Sequence, residues 1–157
     1  MYDKRTERAG AFSSSDFWLV PDRLRTNLPA NLIHRAVMSN SSAGSEAFSG
    51  ERRHPVQLVN LPSTTLSMSI GRLLRNQTSR CHRHNYETLL YICEGQGVTF
   101  IEDLAVEWEK GDAVYIPVWA WHYHKNRSGD GECLYVACEN APLLQNLGGI
   151  ALREEQS

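Results

Sequence analysis

Two short stretches of the chain contain histidines at a spacing that suits metal coordination. His82 and His84 are separated by one residue, and His122 and His124 repeat this spacing 40 residues further on. Side chains alternate between two faces along an extended strand, so His82 and His84 point to the same side. Two such imidazoles and a third from another strand can bind a divalent metal and leave coordination positions open for a substrate.

Turn residues separate these histidines into neighbouring short strands. An apolar run follows His84 and ends at a glycine-rich turn, residues 94–97, and a glycine and a proline bracket the segment before His122. A lone histidine is more often a surface residue or a hydrogen-bonded core residue. Three histidines in this arrangement predict a metal site, with the ligands His82, His84 and His122.

From residue 55 onward, the pattern of residue types is typical of an all-β fold. Short β-branched and apolar segments alternate with turn residues, which predicts strands at residues 56–61, 64–74, 79–84, 88–93, 98–102, 106–108, 113–116, 121–126 and 132–139. Many short strands at roughly ten-residue spacing are typical of a sandwich or barrel. A short C-terminal helical turn is predicted over residues 143–147, between Pro142 and Gly148.

The motifs that carry the histidines resemble those of the cupins. The first cupin motif contains a Gly, His-x-His, usually a Glu four positions after the second His, and a Gly. The matching residues are Gly71, His82, His84 and Gly95 for the first motif and Gly111, Pro117, His122 and Asn126 for the second, with Trp119 in the usual Gly place. The resemblance implies a double-stranded β-helix, a jelly-roll barrel. Thr88 stands where most cupins carry the ligand Glu, and Glu87 lies one residue early.

A narrower likeness concerns activity. His-Arg-His with no Glu in register, together with Pro-x-Trp-x-Trp-His-x-His-x-Asn, is similar to the gentisate dioxygenase branch, which cleaves aromatic rings and uses three histidines. Those enzymes are two-cupin chains, whereas this chain has room for one cupin. The resemblance implies a mononuclear non-haem Fe(II) dioxygenase, with Mn, Ni, Co or Zn as alternative metals. Its substrates would be O₂ and a small chelating molecule, an o-hydroxy aromatic acid or a related enolate or diketone, cleaved at a C–C bond.

Two residues are candidates for a catalytic role beside the metal. Glu87 lies at an odd offset from His84, so in an unbroken strand it would face outward, and only a bulge would turn it inward as a fourth ligand. His124 shares the face of His122 and is expected to donate a hydrogen bond to a substrate oxygen or to shuttle a proton. A histidine bonded to backbone at the barrel mouth is the alternative for His124.

Three further residues are candidates for substrate binding. Arg72 shares the parity of two apolar neighbours and would clamp a substrate carboxylate if it faces inward, although a solvated surface arginine remains the alternative. Trp119 is expected to narrow the pocket entrance, and Tyr115 is a further aromatic candidate.

Composition limits the domain organisation and the class of partner. The 157 residues fit one domain, which we divide into a partly disordered N-terminal arm (1–54), a cupin barrel (55–147) and a loose C-terminal tail (148–157). The formal charge of −2 argues against a nucleic-acid binder, and no apolar run suggests a membrane partner. A cytoplasmic protein is expected, forming a homodimer through an edge strand and the N-terminal arm.

Two other functions are compatible with the same residues. A metal-dependent isomerase, lyase or decarboxylase would use the metal as a Lewis acid without O₂. A small-ligand binding module would hold a structural metal or no metal. Both functions stay open because the barrel fold by itself does not determine function.

Overall fold

The computed structural model of the chain describes residues 28–40 and 44–156. The chain divides into two compact units, residues 1–30 and 31–157. Only residues 28–30 of the first unit are described, and they form no helix or strand. Most of the predicted N-terminal arm, including its predicted disorder, therefore lies outside the described residues.

The second unit contains ten strands and two short helices within its described residues. In chain order these are α1 (Ser45–Arg52), β1 (Val56–Leu58), β2 (Ser67–Leu73), β3 (His82–His84), β4 (Thr88–Glu94), β5 (Gln96–Ile101), β6 (Leu104–Glu109), β7 (Ala113–Ile116), β8 (His122–Asn126), β9 (Cys133–Glu139), α2 (Ala141–Asn146) and β10 (Arg153–Glu155). No helix in the described part is long and apolar enough to cross a membrane.

The strands form two five-stranded antiparallel sheets. Their orders are β1-β2-β9-β4-β7 and β10-β3-β8-β5-β6, so strands distant in sequence lie side by side. One hydrophobic core joins the sheets, with Leu73, Ile92 and Ile116 from the first packed together with Ile101 and Trp108 from the second. This architecture is a double-stranded β-helix, and the predicted fold class is confirmed.

Alternation of side chains explains which residues enter the core. In β8, His122, His124 and Asn126 are buried, whereas Tyr123 is half-buried and Lys125 is exposed. A strand with one face on the core and one toward solvent shows this period of two. Asn126 donates from its side-chain amide to the backbone oxygens of Leu73, Leu74 and Gly131. The last residue of β8 thereby fixes this strand to the opposite sheet.

A helix forms within the predicted N-terminal arm, and the predicted loose tail is corrected. The helix α1 begins at Ser45, and the Ser49 hydroxyl bonds both the N–H and the carbonyl oxygen of Val56. The expected loose tail includes β10, which pairs antiparallel with β3. An ion pair of Arg83 with Glu154 joins these two strands, and Arg80, two residues before β3, pairs with Glu155 of β10. Small polar and charged residues form this helix and this strand because residues elsewhere in the chain provide their hydrogen-bond and ion-pair partners.

Gly71 provides a test of how tightly neighbouring strands of the barrel pack. A Cβ at Gly71 would overlap the Tyr135 ring, which lies across this glycine from the neighbouring strand β9. Gly71→Ala is therefore expected to lower the free energy of unfolding by about 1–3 kcal/mol, the usual range for an overpacked core. Chemical denaturation followed by circular dichroism measures this change.

Gly50→Ala is the matched control, because Gly50 lies in α1 and a Cβ added there would meet no atom within 4 Å. Alanine in a helix interior is favoured over glycine, so this control is expected to be neutral or slightly stabilising. Equal effects of the two substitutions would contradict the packing of Tyr135 on Gly71.

Candidate metal centre

Strands β3 and β8 bring three histidines together inside the barrel. His82 and His122 are directly opposite each other in the ladder, and His84 lies on the same face of β3. All three side chains are buried, and one potential ligand atom from each lies within 4.8 Å of the other two. The ring centroids are 4.2 Å apart for His82 and His122 and 4.9 Å apart for His84 and His122.

Hydrogen bonds to the backbone orient each imidazole. The Nδ1 atoms of His82, His84 and His122 lie 2.9, 2.7 and 2.9 Å from the carbonyl oxygens of Arg80, Tyr86 and Ala120. A carbonyl oxygen only accepts, so each Nδ1 carries the proton and each Nε2 keeps its lone pair. Outer hydrogen bonds of this kind fix the tautomer and ring direction of metal-ligating histidines. The three residues therefore fit a divalent metal.

Burial keeps these imidazoles neutral. It is the largest cause that lowers the pKa of His84 and His122 to about 4, and the nearby His122 lowers the pKa of His84 further. The pKa of His82 is lowered more strongly, first by burial and then by the charge of His122. Neutral imidazole is the form that binds metals, so the site is prepared for a cation at neutral pH.

His124 lies on the same face of β8 but is held by a different set of contacts. Trp108 Nε1 donates to Thr99 Oγ1 at 2.9 Å, and Thr99 Oγ1 lies 2.9 Å from His124 Nδ1. Thr99 is fully buried, so its single hydroxyl proton is assigned to His124 Nδ1. His124 then carries its proton on Nε2. Burial lowers the pKa of His124 well below its usual value, which favours the neutral imidazole at pH 7.

The histidines line a small cavity between the sheets. Its volume is about 30 Å³, which is the space of one or two water molecules. His124 and Thr88 share the lining with the three histidines. Thr88, and not Glu87, therefore occupies the inward position of β4, as the alternation of side chains predicts.

Several cavity residues were not identified from the sequence, and four that carry polar or charged groups, Arg52, His54, Tyr135 and Glu139, come from outside the two motifs. His54 Nδ1 donates to the Arg52 carbonyl oxygen at 2.8 Å, so its Nε2 accepts from the Tyr135 hydroxyl at 2.6 Å. Glu139 is directly opposite Thr88 in the ladder and accepts from its hydroxyl at 3.3 Å. The inward parity of β9 could have identified Tyr135 and Glu139. Arg52 and His54 lie in and after α1, a segment without a clear pattern.

Three candidate site residues, Glu87, Arg72 and Tyr115, lie on the outside of the barrel and not in the pocket. Glu87 is exposed, and its carboxylate accepts from the Tyr115 hydroxyl at 3.1 Å on the outer face. Arg72 forms an ion pair with Glu132 at 2.7 Å. No bulge turns Glu87 inward, and alternation from the inward residues Thr88 and Gly71 directs Glu87 and Arg72 outward.

Trp119 lies apart from the cavity lining as well. Its ring is stacked with the Arg83 guanidinium, whose carbon atom lies 4.6 Å from the ring centroid, and the Trp121 ring contacts the same guanidinium at the same distance. Trp119 has φ +65°, a left-handed conformation that explains why a glycine usually stands here. The tryptophan thus supports the outer side of β3 instead of the pocket.

Comparisons with known proteins agree with this geometry. Residues 71–138 match the family described as Cupin domain, and this confirms the cupin resemblance of the motifs. The chain is 34% identical over 79 residues to a 5-aminosalicylate 1,2-dioxygenase of Comamonas sp, a match that covers 50% of this chain and 21% of the relative. It is 31% identical over 67 residues to gentisate 1,2 dioxygenase 1 of Aquipseudomonas alcaligenes, covering 42% and 19%.

A solved structure has a similar fold. The salicylate 1,2-dioxygenase of Pseudaminobacter salicylatoxidans superposes with a TM-score of 0.63 at 22% identity, over 73% of this chain and 35% of that one. At this identity the likeness concerns the fold alone. This chain spans about a fifth of the length of the two curated relatives and about a third of the solved structure.

The buried neutral histidines predict that the metal-free protein loses stability in mild acid. The pKa values of His54, His84 and His122 are near 4 in the folded chain and near 6.5 when unfolded. Between these values the unfolded chain binds more protons, so stability is full above about pH 7 and falls as the pH decreases toward 4. Each of these histidines contributes a loss of about 1 kcal/mol between pH 7.5 and 5.5.

Thermal unfolding of chelator-treated protein at these two pH values measures the loss. His54→Gln is expected to reduce the loss of stability between pH 7.5 and 5.5 by the contribution of one histidine, about 1 kcal/mol. A melting temperature that does not change between the two pH values would contradict the buried neutral state.

The hydrogen-bond assignment of His124 is tested at Thr99. Thr99→Val removes the hydroxyl with little change in shape, so it is expected to release the His124 tautomer and to leave Trp108 Nε1 without a partner. Loss of one buried partner costs about 1–3 kcal/mol. Nitrogen-15 NMR of the histidine side chains should give a single Nε2–H tautomer for His124 in the wild type and in Thr99→Ser, and a mixture in Thr99→Val. An Nδ1–H tautomer in the wild type would show the assignment to be wrong.

Proposed function

We propose that this chain, whose residues 71–138 match the Cupin domain, acts as a mononuclear non-haem Fe(II) dioxygenase. Its substrate class is a small metal-chelating molecule, an o-hydroxy aromatic acid or a related enolate or diketone, cleaved at a C–C bond. The observation that carries the proposal is the convergence of three buried histidines whose Nδ1 protons are all bonded to backbone oxygens.

The donor set agrees with this chemistry. Bound Fe(II) would supply the redox capacity for O₂ and an electrophilic centre for the substrate oxygens. Three neutral imidazoles add no negative charge, so they leave the full charge of a divalent ion to attract an anionic chelating group. A carboxylate ligand would reduce that charge, and the first inward position of β4, which lines the cavity, holds the uncharged Thr88.

The surrounding residues exclude water and provide one donor. Leu90, Ala137 and Val56 line the cavity with apolar surface, which strengthens electrostatic interactions inside it. His124 presents Nε2–H and stays neutral at pH 7, so in this proposal it donates a hydrogen bond to a substrate oxygen and orients the substrate. Burial disfavours the charged imidazole, so His124 acts as a hydrogen-bond donor and not as a proton shuttle in this proposal.

The similar proteins support the reaction class. The curated relatives carry the names 5-aminosalicylate and gentisate 1,2-dioxygenase. Their substrates are both o-hydroxy aromatic acids, the class that the three-histidine site suits. Because the chain spans only about a fifth of those relatives, the transfer of their activity is a proposal about this chain.

A homodimer is also proposed. The outer face of the first sheet exposes a group of large apolar side chains on β2, β4 and β7, namely Met68, Leu89, Tyr91 and Tyr115. A contiguous exposed apolar surface of this kind is typical of an interaction site. Light scattering after size-exclusion chromatography distinguishes monomer from dimer, and Leu89→Glu should shift the mass to that of a monomer.

The metal site is tested by removing one ligand. Protein purified without chelators is reconstituted with Fe(II) under nitrogen, and O₂ uptake is measured with salicylate, gentisate and 5-aminosalicylate. The wild type is expected to bind one iron per chain and to consume O₂ with at least one of these acids. His122→Ala is expected to lose both properties, since two imidazoles bind the ion much more weakly.

His34→Ala is the control, because His34 is half-buried and lies outside the cavity, where its ring contacts the backbone of Asn40 and Asn60. Its iron content and O₂ uptake should equal those of the wild type. Turnover under nitrogen would instead support a metal-dependent isomerase or lyase. A protein that binds no metal would contradict the proposed function.

A further inference from the structure

A second, larger cavity adjoins the cavity of the histidines. Its volume is about 320 Å³, against about 30 Å³ for the inner one. Both cavities are lined by Phe48, Arg52, Ser69 and Glu139, so these residues form the boundary between them. The outer cavity reaches α2 and β10 and includes Arg153 in its lining. Binding sites for small molecules usually have volumes of about 300–1,000 Å³. The outer cavity reaches this range and the inner one does not.

Two arginines in the outer cavity have donors without partners. Arg52 is 9% exposed, and its Nη1 makes no hydrogen bond. Arg153 uses Nη1 for Glu155, but its buried Nε and Nη2 have no partner. A buried charged donor without an acceptor costs free energy, and fully buried arginines are nearly always paired. Three such nitrogens on two residues that line the same cavity indicate a missing anionic acceptor beside it.

The position of Arg153 follows from strand pairing. Arg153 is directly opposite His84 in the β10–β3 ladder, and residues opposite each other in an antiparallel pair share a face. Arg153 therefore points to the same side of the sheet as the metal ligands. The charge of Arg153 lowers the pKa of Arg52 in addition to the larger effect of burial, so the two guanidinium groups are close enough to repel each other.

The acidic groups nearby do not supply that acceptor. Glu155 is shared between Arg80, at 2.6 Å, and Arg153. Glu51 is well exposed and approaches Arg52 Nη1 only to 4.0 Å. Glu139 accepts from Thr88 and lies at the boundary of the two cavities, and in the described part of the chain it forms no ion pair within 4.0 Å with Arg52 or Arg153. A bound anion would satisfy donors that the chain leaves open.

We propose that the outer cavity binds a carboxylate of the substrate through Arg52 and Arg153, while the chelating end of the same molecule lies toward the three histidines. This inference rests on the proposed function and narrows its substrate class. The inner cavity holds the chelating oxygens, and the aromatic body with a second acidic group occupies the outer one. The preferred substrate is accordingly an o-hydroxy aromatic acid that carries a further carboxylate on its ring.

The test compares ligands that differ only by that second carboxylate. Calorimetric titration of Zn(II)-loaded protein, which cannot turn over, gives the Kd for salicylate, 4-hydroxyisophthalate and 2-hydroxyterephthalate. At least one dicarboxylate is expected to bind about ten times more tightly than salicylate, the effect of roughly 1.4 kcal/mol. Arg153→Met is expected to remove that preference.

Two further variants separate recognition from folding. Arg153→Lys keeps the charge and should retain most of the preference, and its melting temperature shows whether β10 is intact. Arg75→Met is the matched control, because Arg75 is an exposed arginine paired with Asp130 on the surface. Its Kd values should equal those of the wild type.

These titrations can show the carboxylate site to be absent without contradicting the metal site, and the reverse. Equal Kd values for salicylate and both dicarboxylates, or a preference that persists in Arg153→Met, would overturn the inference. The same titrations on metal-free protein isolate the outer cavity. A dicarboxylate preference there that depends on Arg153 supports the inference even if no metal binds, and its absence in both forms of the protein overturns it.

Discussion

The hydrogen bonds from the three imidazole Nδ1 atoms to the backbone are the constraint on which the rest of the structure depends. Each accepting carbonyl belongs to a residue two positions from the histidine it holds. The three Nε2 atoms can therefore converge on a single point only as long as β3 and β8 stay paired. The sheets, the core beneath them and the strand that covers β3 all maintain that pairing. Metal coordination and barrel folding are thus one physical problem in this chain.

Much of the barrel could be predicted from local patterns. Every predicted strand overlaps an observed one, because short segments with a buried face and turn residues between them are recorded in the sequence itself. The convergence of His82, His84 and His122 was also predictable, since alternation along a strand determines which side chains share a face. The same rule directed Thr88 inward and Glu87 outward, and the structure has both in these positions.

The remainder of the cavity could not be predicted because it depends on contacts distant in sequence. Arg52 comes from a helix that side-chain hydrogen bonds from serines attach to β1, and such bonds leave no periodic pattern. Arg153 becomes a cavity residue only through the pairing of β10 with β3, which joins residues about seventy positions apart. Arg72 was misplaced for a related reason. Apolar neighbours of the same parity suggested an inward face, but that face is the exposed apolar side of the first sheet.

Because β10 pairs with β3, it keeps β3 from being the edge strand of its sheet. β3 has β8 on one side and β10 on the other, and β10 is the last strand of that sheet. Proteolytic loss of residues 153–155 would turn the strand that holds two imidazoles into an edge, whose open backbone groups invite pairing with other chains. Clipping a few residues at this end would therefore promote self-association through the strand that carries His82 and His84.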